Sequence, residues 1–304
     1  MNGIINIFKP EGITSNGVIH EIKKTTGEKK IGHIGTLDPL ATGILPLFLG
    51  KYTKLIPHFN LAHKTYRATA RLGATSTTMD REGDITEVPV PVNLSKREIL
   101  QALTSFLGTS EQMPPMYSAI KINGKKLYQY AREGKTIERQ ARKITIFDIR
   151  LLEYQEKTLE FEVQCSKGTY IRSLVDDIAI KVGTRAYLHH LIRTKCGDFF
   201  TEKNAIELSC AKKMMKSDLQ SKFIDPKCIL FDWHEVRIFS TSQRKQISQG
   251  RTIEIPADDI CLSNRGKQFS NAIARTQNGE LLATGILEFS QDSICRFRSG
   301  KVFI

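Results

Sequence analysis

The stretch from His33 to Lys54 reads HIGTLDPLATGILPLFLGKYTK, and its one carboxylate, that of Asp38, stands among glycines, prolines and small residues with apolar runs on either side. Asp38 is followed by Pro39, and Asp-Pro is common in turns because the Asp side chain bonds nearby backbone groups and proline fixes φ. From these residues alone, a turn is the more frequent explanation. The alternative, a tight loop that presents a catalytic carboxylate, stays open at this point.

The composition indicates a globular protein with a polyanionic partner. The 304 residues are enough for two domains. There are 45 Lys and Arg residues against 32 Asp and Glu residues, which gives a formal net charge of +13. Positive charge of this size attracts polyanions and speeds their association, so RNA or DNA is the leading partner. An acidic membrane surface and a merely basic surface are the competing interpretations, although no basic amphipathic helix with a large apolar face is evident.

Cysteine usage and the first residues favour a reducing, cytoplasmic location. The six cysteines are scattered, with no CxxC pair and no histidine at zinc-ligand spacing. Free thiols and no metal are therefore expected. Residues 1–12 lack the apolar run of a signal peptide, and no stretch has the apolar length needed to cross a bilayer. We therefore expect a soluble cytoplasmic protein.

Local patterns predict helices and strands that interleave irregularly along the first two thirds of the chain. Hydroxyl caps followed by apolar residues at helical spacing predict helices, and alternating apolar and polar residues predict half-buried strands. Irregular interleaving favours an α/β (α+β) fold with a mixed sheet over a doubly wound parallel one. The predicted elements are a helix from Thr14 or Ser15 to about Gly27, a strand over 64–73, a helix from Ser95 through Leu107, strands over 144–154 and 159–165, and a helix over 171–182.

The composition changes at a polar, Lys-rich connector over residues 212–227. Beyond it, short apolar runs separated by turn signals indicate a small, mostly β domain. Two of these turn signals are Asn264-Arg265-Gly266 and Gln277-Asn278-Gly279. We therefore predict a first domain over residues 1–226 and a second over residues 227–304.

Five segments, in the same order along the chain, resemble the motifs of the TruB family of tRNA pseudouridine synthases. The resemblance implies a mixed, largely antiparallel catalytic sheet of the pseudouridine synthase type, with an RNA-gripping insertion at about 112–143. It also implies a small, mostly β, PUA-like RNA-binding domain over 227–304, on shorter pieces at 249–250, 278–285 and 301–303. The five segments are Lys9–Ser15, His33–Lys54, Tyr66 in the following strand, Gln112–Lys121 and Cys165–Leu174.

The chemistry that the resemblance implies needs a carboxylate and no cofactor. To form pseudouridine, the glycosidic bond of a uridine is broken and the base is turned and rejoined through carbon. A base inside a folded RNA is out of reach, so it is flipped out at a cost of roughly a few kcal/mol. It then needs an apolar or aromatic slot, with an anionic group beside the sugar. The resemblance makes Asp38 the catalytic nucleophile, attacking either the sugar or the base, with no metal.

The resemblance also assigns the residues around the uridine. Arg172 resembles the family arginine that pairs with the aspartate, and a guanidinium there keeps the carboxylate ionised and oriented. Tyr66 resembles the tyrosine that stacks on the base and moves a proton late in the reaction. Tyr170 and Leu191 resemble the other walls of the slot, and His33 resembles the histidine that enters the RNA loop as the base leaves. Without the resemblance, each would be an ordinary surface, core or loop residue.

A basic run in the predicted insertion is the main candidate for RNA contact. Residues 121–143 are rich in lysine and arginine, with Tyr128 and Tyr130 between them. Such a run is often only a solvated face, but the corresponding family insertion grips the RNA stem-loop. Phosphate contacts give affinity that weakens with salt, and tyrosines stack on bases. The candidate RNA contacts are Lys54, Lys121, Lys125 and Lys126, of which the first two also fit a structural role.

The chain departs from the family pattern at three places. Thr77 stands where an acidic residue is usual, Ile192 stands where the first of two arginines is usual, and Ile34 replaces a commoner threonine. The departures at Thr77 and Ile192 bear on contacts with RNA. None of the three touches the assigned chemistry.

The sequence therefore predicts a cytoplasmic isomerase that converts uridine 55 in the T arm of tRNA to pseudouridine. A monomer with no cofactor, no obligate protein partner and no membrane association is expected. One alternative is a non-catalytic tRNA-binding or tRNA-folding module on the same scaffold, against which the intact Asp38, Tyr66 and Arg172 argue. Another is a synthase of the same fold aimed at guide-directed or ribosomal sites, whose archaeal and eukaryotic relatives need protein partners.

Overall fold

The computed structural model describes residues 1–59, 63–261, 269–289 and 294–304. Within these ranges the largest element is a ten-stranded sheet, and its neighbouring strands run antiparallel apart from two parallel pairings. The predicted mixed, largely antiparallel sheet is confirmed. Its strands follow the order Ile206–Glu207, Gly3–Lys9, Thr42–Leu49, Ala186–Cys196, Lys64–Leu72, Thr158–Cys165, Arg142–Gln155 and Gly108–Gln112, while Ile31–His33 pairs with Thr42–Leu49 and Phe200–Thr201 with Ala186–Cys196.

Helices pack on this sheet in two separate groups. One group buries apolar side chains against the strands from Lys64 to Cys165, and the other packs against the first strand and its neighbour. Within the described ranges, every helix is too short or too polar to cross a membrane. The helices are Ser15–Thr26, Ile56–Phe59, Lys96–Thr104, Leu127–Arg132, Ile171–Lys181, Leu208–Ala211, Lys216–Ser221, Pro226–Ile229 and Thr241–Ser248, with 3₁₀ turns at Gly50–Leu55, Glu202–Asn204 and Ala257–Asp259.

Two elements predicted from the sequence frame the loop of Asp38. The helix Ser15–Thr26 begins where the Thr14 hydroxyl accepts the Gly17 N–H at 2.9 Å, as expected of a hydroxyl cap. The strand Lys64–Leu72 lies between Thr158–Cys165 and Ala186–Cys196. Its alternate side chains are buried, as its period of two predicts. The loop therefore lies between a capped helix and a central strand.

A six-stranded sheet follows the connector. Part of its core is continuous with that of the large sheet, because Phe48 of the first sheet and Trp233, Leu281 and Phe303 beyond the connector belong to one buried apolar cluster. The strands follow the order Thr252–Pro256, Ile294–Val302, Leu281–Glu288, Phe269–Thr276, His234–Ile238 and Ile260–Cys261. Two hairpins complete the described strands, Ala74–Ser76 with Ile85–Glu87 and Lys121–Ile122 with Lys125–Lys126.

Three details differ from the sequence predictions. The helix that starts after Ser95 ends at Thr104 rather than Leu107, because the chain tightens into turns in which the N–H of Leu107 bonds the carbonyl three residues earlier. The Lys-rich connector contains the helix Lys216–Ser221. The segment Thr241–Ser248 is also helical, although its sequence has no stripe of apolar residues at helical spacing. The predicted turn at 264–266 lies outside the described residues.

Candidate active site

A cleft of about 430 Å³ opens beside the loop that carries Asp38. Its walls come from separate parts of the chain: this loop, the strand Lys64–Leu72, the segment around Ser118 and the turn that leads into Ile171–Lys181. The fold therefore brings together residues that are far apart in sequence. The predicted site residues that line the cleft are Asp38, Tyr66, Tyr170, Arg172 and Leu191.

The backbone of the Asp38 loop is fixed while the carboxylate stays accessible. The Ala41 N–H donates to the Asp38 carbonyl oxygen at 3.1 Å, which closes the turn that Asp-Pro predicts. The Ser15 hydroxyl accepts from the Leu37 N–H at 2.8 Å and donates to the Leu37 carbonyl at 3.1 Å. The Asp38 side chain remains 42% exposed. The same loop therefore forms the turn and presents the carboxylate, so the two interpretations of Asp38 are compatible.

Lys9 anchors this loop from a fully buried position. Its ammonium donates to the carbonyl oxygens of Pro10, Ile13 and Pro39, at 2.9, 2.6 and 3.2 Å. Burial lowers the Lys9 pKa to about 8, and the charge of Asp38 opposes this shift. The segment Lys9–Ser15 therefore ties the first strand to the Asp38 loop.

Arg172 lies behind Asp38 and is almost wholly buried. Its Nη2 is 3.0 Å from Asp38 Oδ2 and donates to the Tyr117 carbonyl oxygen at 2.8 Å. Its Nη1 donates to the Thr78 carbonyl oxygen at 3.0 Å. A planar guanidinium held at several donors has little freedom to turn. Arg172 therefore presents a fixed positive charge to Asp38.

Asp80 is a second carboxylate on the same guanidinium, and the sequence prediction missed it. Its Oδ2 is 3.5 Å from Arg172 Nη1. Its Oδ1 accepts from the Thr78 hydroxyl at 2.5 Å and from the Glu82 N–H at 3.1 Å. Asp80 is 3% exposed, whereas Asp38 faces the cleft. The arrangement is a row of charges, Asp38, Arg172 and Asp80, in which Asp38 is the most exposed and Asp80 does not line the cleft.

Aromatic and apolar side chains form one part of the cleft wall, beside charged and hydroxyl-bearing ones. Tyr66 and Leu191 stand on neighbouring strands, where Leu191 pairs with Ala68, the next residue on the Tyr66 face. Burial raises the Tyr66 pKa to about 12. Tyr170 immediately precedes the helix Ile171–Lys181, and the side chain of Gln112 bonds both its N–H and its C=O, at 2.8 and 3.0 Å. This slot suits a flat, uncharged ring.

Arg193 is a second buried arginine behind the site, and the sequence prediction gave it no role. Its side chain is fully buried, with Nε donating to the Ile44 carbonyl at 2.6 Å and Nη1 to the Gly35 carbonyl at 2.8 Å. Two glycines make room for it. A Cβ on Gly35 would lie 2.9 Å from Arg193 Nη1, and one on Gly43 would lie 2.3 Å from the Arg193 carbonyl oxygen. The glycines that flank Asp38 thus accommodate Arg193.

Gly43→Ala is expected to destabilise the protein by about 2–4 kcal/mol. The backbone of Gly43 has φ +103, which L side chains rarely adopt, and the new methyl group would collide with backbone atoms of the paired strand. The measurement is the free energy of unfolding in urea. Gly12→Ala is the matched control, since Gly12 has φ +81 and no atom lies within 4 Å of the position that its new methyl group would take. Equal losses for the two variants would contradict the role assigned to close packing.

His33 lies at the edge of the cleft rather than in its wall. Its Nε2 is 3.1 Å from the Thr36 hydroxyl, and Thr36 lines the cleft. Burial lowers the His33 pKa, and the charge of Arg193 lowers it further. Burial and the nearby charge thus both favour the neutral form of the His33 ring, which lies beside the opening.

The predicted insertion carries its basic side chains beside aromatic rings. Lys125 forms an ion pair with Glu133 and lies 4.7 Å from the ring centre of Tyr130. Lys126 lies 5.5 Å from the ring centre of Tyr128, on whose ring Arg132 also packs at 5.4 Å. Such cation–π contacts contribute about 0.5–1 kcal/mol each at exposed sites. Lys121 is exposed at the start of the same hairpin.

Lys54 is engaged by the protein itself. Its ammonium donates to the Val302 carbonyl oxygen at 2.5 Å, which links the large sheet to the last strand. This position fits the structural role that the sequence left open for Lys54. Across the described ranges, no group of three or more His, Cys, Asp or Glu side chains is placed to share a metal ion.

Sequence comparison finds close relatives over most of the chain. The family profile described as "TruB family pseudouridylate synthase (N terminal domain)" matches residues 23–171. A protein of Clostridium tetani named tRNA pseudouridine synthase B is 48% identical over 285 residues, which cover 92% of this chain and 97% of that protein. The protein of the same name from Clostridium novyi is 53% identical over 209 residues, or 69% of this chain and 72% of that protein.

Solved structures show the same fold. A chain in a Cbf5-Nop10-Gar1 complex matches with a TM-score of 0.71 at 26% identity, over 99% of this chain and 85% of that one. A chain in an H/ACA RNP bound to a substrate RNA containing 2′-deoxyuridine matches equally well, with a TM-score of 0.71 at 26% identity over the same shares. The arrangement of strands described above is therefore that of pseudouridine synthases.

Proposed function

Because this chain belongs to the TruB family of pseudouridylate synthases, we propose that it isomerises uridine 55 in the T arm of tRNA to pseudouridine, with Asp38 as the nucleophile. One observation carries the proposal: an accessible carboxylate, held by a buried guanidinium at 3.0 Å, faces a cleft with aromatic walls. The substrate class is inferred from the relatives named tRNA pseudouridine synthase B, and the type of reaction is inferred from the residues that line the cleft.

The reaction needs no external reactant. The N1–C1′ bond of the uridine breaks and a C5–C1′ bond forms, while one hydrogen leaves C5 and one joins N1. The flipped base enters between Tyr66, Tyr170 and Leu191, and the Asp38 carboxylate attacks the sugar or the base. Arg172 keeps that carboxylate oriented throughout, at no cost in reorganisation because it is already held in place.

The surrounding surfaces serve RNA binding in this proposal. His33 enters the T loop as the uridine leaves, and the insertion at about 112–143 grips the stem-loop. Residues 227–304 form a PUA-like module that holds the acceptor end, while 1–226 form the catalytic domain. The protein acts in the cytoplasm as a monomer and without an obligate partner.

The proposal is tested by mapping pseudouridine in an unmodified tRNA transcript after incubation with the purified protein. Modification at position 55 is the expected result, with none at other uridines of the T arm. A transcript in which uridine 55 is replaced by cytidine is the control. Binding of the tRNA without modification would overturn the proposal in favour of a non-catalytic folding module.

The insertion yields a second expected result. Replacing both Lys121 and Lys126 by Gln removes two positive charges, so the slope of log affinity against log salt concentration should fall by about 2. The rate for bound tRNA should not change, since neither residue lines the cleft. Binding is measured by filter retention at several salt concentrations.

Lys213→Gln together with Lys216→Gln is the matched control, because it removes the same charge from exposed positions on the connector. If the control variant lost as much of the salt dependence as the insertion variant, general attraction rather than a specific grip would explain the binding.

A further inference from the structure

The loop of residues 10–14, here the first loop, is attached to the Asp38 turn. The Gly12 N–H donates to the Pro39 carbonyl oxygen at 2.9 Å. The ammonium of Lys9, which precedes the loop, reaches the same oxygen at 3.2 Å. Since Pro39 directly follows Asp38, a shift of the first loop would move the Asp38 carboxylate as well.

The loop of residues 77–84, here the second loop, holds Arg172. It joins the two strands of a hairpin. The Thr78 carbonyl oxygen accepts from Arg172 Nη1 at 3.0 Å, and Asp80 Oδ2 lies 3.5 Å from the same nitrogen. The 3.0 Å separation between Asp38 Oδ2 and Arg172 Nη2 therefore depends on how the two loops lie relative to each other.

An ion pair joins the two loops directly. Glu11 Oε1, in the first loop, accepts from Arg81 Nη2, in the second. Arg81 Nη1 also lies 3.1 and 3.2 Å from the two ring nitrogens of His190, of which one must accept because a guanidinium has only donors. The Arg81 N–H donates to the Leu188 carbonyl oxygen at 3.0 Å. Arg81 thus ties both loops to the strand Ala186–Cys196.

This ion pair is placed to affect geometry more than stability. The side chains of Glu11 and Arg81 are 46% and 23% exposed, and ion pairs so open to water contribute little to stability. Each residue is nevertheless the neighbour in sequence of one that supports the site, Gly12 in the first loop and Asp80 in the second. A displacement of about 1 Å between reacting groups can cost about 100-fold in rate. The larger effect is therefore expected on the reaction.

We propose that Glu11 and Arg81 are positioning residues for the isomerisation, which hold the two loops at the separation that keeps Asp38 against Arg172. This inference rests on the proposed function. Neither Glu11 nor Arg81 lines the cleft, so both act through the loops to which they belong.

Single-turnover kinetics at saturating protein test the proposal. Glu11→Ala and Arg81→Ala should each lower the rate for bound tRNA about 10-fold. The double variant should also lose about 10-fold, because either substitution alone releases one loop from the other. A loss of about 100-fold in the double variant would show two independent effects and overturn the proposal, as would an unchanged rate in either single variant.

A direct contact between Arg81 and the tRNA is the competing explanation, since a partly exposed arginine can bind a phosphate. Arg81→Ala would then weaken tRNA binding and lower the salt slope by about 1, while Glu11→Ala would leave the rate for bound tRNA unchanged. The proposal instead requires dissociation constants within about 3-fold of the wild type for both variants, with the loss confined to the rate for bound tRNA.

A conservative variant and a matched control accompany these measurements. Glu11→Gln keeps an oxygen that accepts from Arg81, so it should lose less than about 3-fold. Arg150→Ala removes a comparable ion pair, with Glu162 on the neighbouring strand, and should leave the rate unchanged. The unfolding temperature should fall by less than about 3 °C in every variant. A fall of about 10 °C or more in both alanine variants would make the ion pair structural and overturn the proposal.

Amide hydrogen exchange, followed by NMR in the free protein, gives a measurement independent of turnover. In Arg81→Ala the Gly12 amide should exchange about 10-fold faster, although the substitution lies in the other loop. The amides of the strand Leu281–Glu288 are the internal control and should not change. An unchanged Gly12 exchange rate would overturn the inference even if pseudouridine forms. Faster exchange in a protein that forms no pseudouridine would instead refute only the proposed function.

Discussion

Asp38→Asn is expected to form pseudouridine about 10⁵-fold more slowly than the wild type, the order of loss that follows removal of a catalytic nucleophile. The amide has nearly the same shape but carries no negative charge to attack the uridine. The loop should persist, since it is held by backbone contacts to Ser15 and Ala41 rather than by the carboxylate. The measurement is the single-turnover rate with tRNA transcript, beside the dissociation constant and the unfolding temperature.

Asp84→Asn is the control for this variant, since it makes the same chemical change at an exposed position on a nearby hairpin turn. It should retain the wild-type rate. Near-normal pseudouridine formation by Asp38→Asn, in a folded and tRNA-binding protein, would show that another group is the nucleophile.

Arg172→Met is expected to affect both stability and rate. It leaves the buried Asp80 without its cationic partner, which should cost about 3–5 kcal/mol of the free energy of unfolding. It also leaves Asp38 without the charge that orients it, so the rate for bound tRNA should fall about 10²–10³-fold. Urea unfolding and single-turnover kinetics measure the two effects separately.

A second substitution separates the structural and chemical parts of this loss. Adding Asp80→Asn to Arg172→Met removes the uncompensated buried charge and keeps an oxygen that accepts from Thr78 and Glu82. The double variant should regain most of the stability but none of the activity. Recovery of activity with stability would mean that Arg172 acts only as scaffolding and has no direct part in the chemistry.

The sequence predicted those parts of the site that local patterns carry. A turn dipeptide and its neighbours identify the Asp38 loop, and a period of two places Tyr66 and Ala68 on one face. The resemblance adds Arg172, Tyr170 and Leu191, whose separation in sequence would otherwise hide them. The structure brings Asp38, Tyr66, Tyr170, Arg172 and Leu191 to one cleft.

The parts that could not be predicted depend on contacts between distant segments. In the sequence, Asp80 resembles an ordinary turn residue. Its importance comes from Arg172, which lies 92 positions later and whose Nη1 also donates to the Thr78 carbonyl oxygen, 94 positions earlier. Arg193 reaches Gly35 across 158 positions. The helix Thr241–Ser248 was not predicted for another reason. Ile247 is its one buried residue, so the sequence shows no apolar stripe that would indicate a helix.

The two glycines beside Asp38 have a consequence for whether this segment can be transferred to another protein. In linear sequence the stretch looks like a transferable module, complete with its carboxylate and turn residues. In the fold, Gly35 and Gly43 are shaped around an arginine that a strand contributes much later. A grafted copy without that strand would keep the carboxylate and lose the packing that gives the loop its form. The loop and the strand Ala186–Cys196 therefore form one structural unit, although nearly half of the chain lies between them.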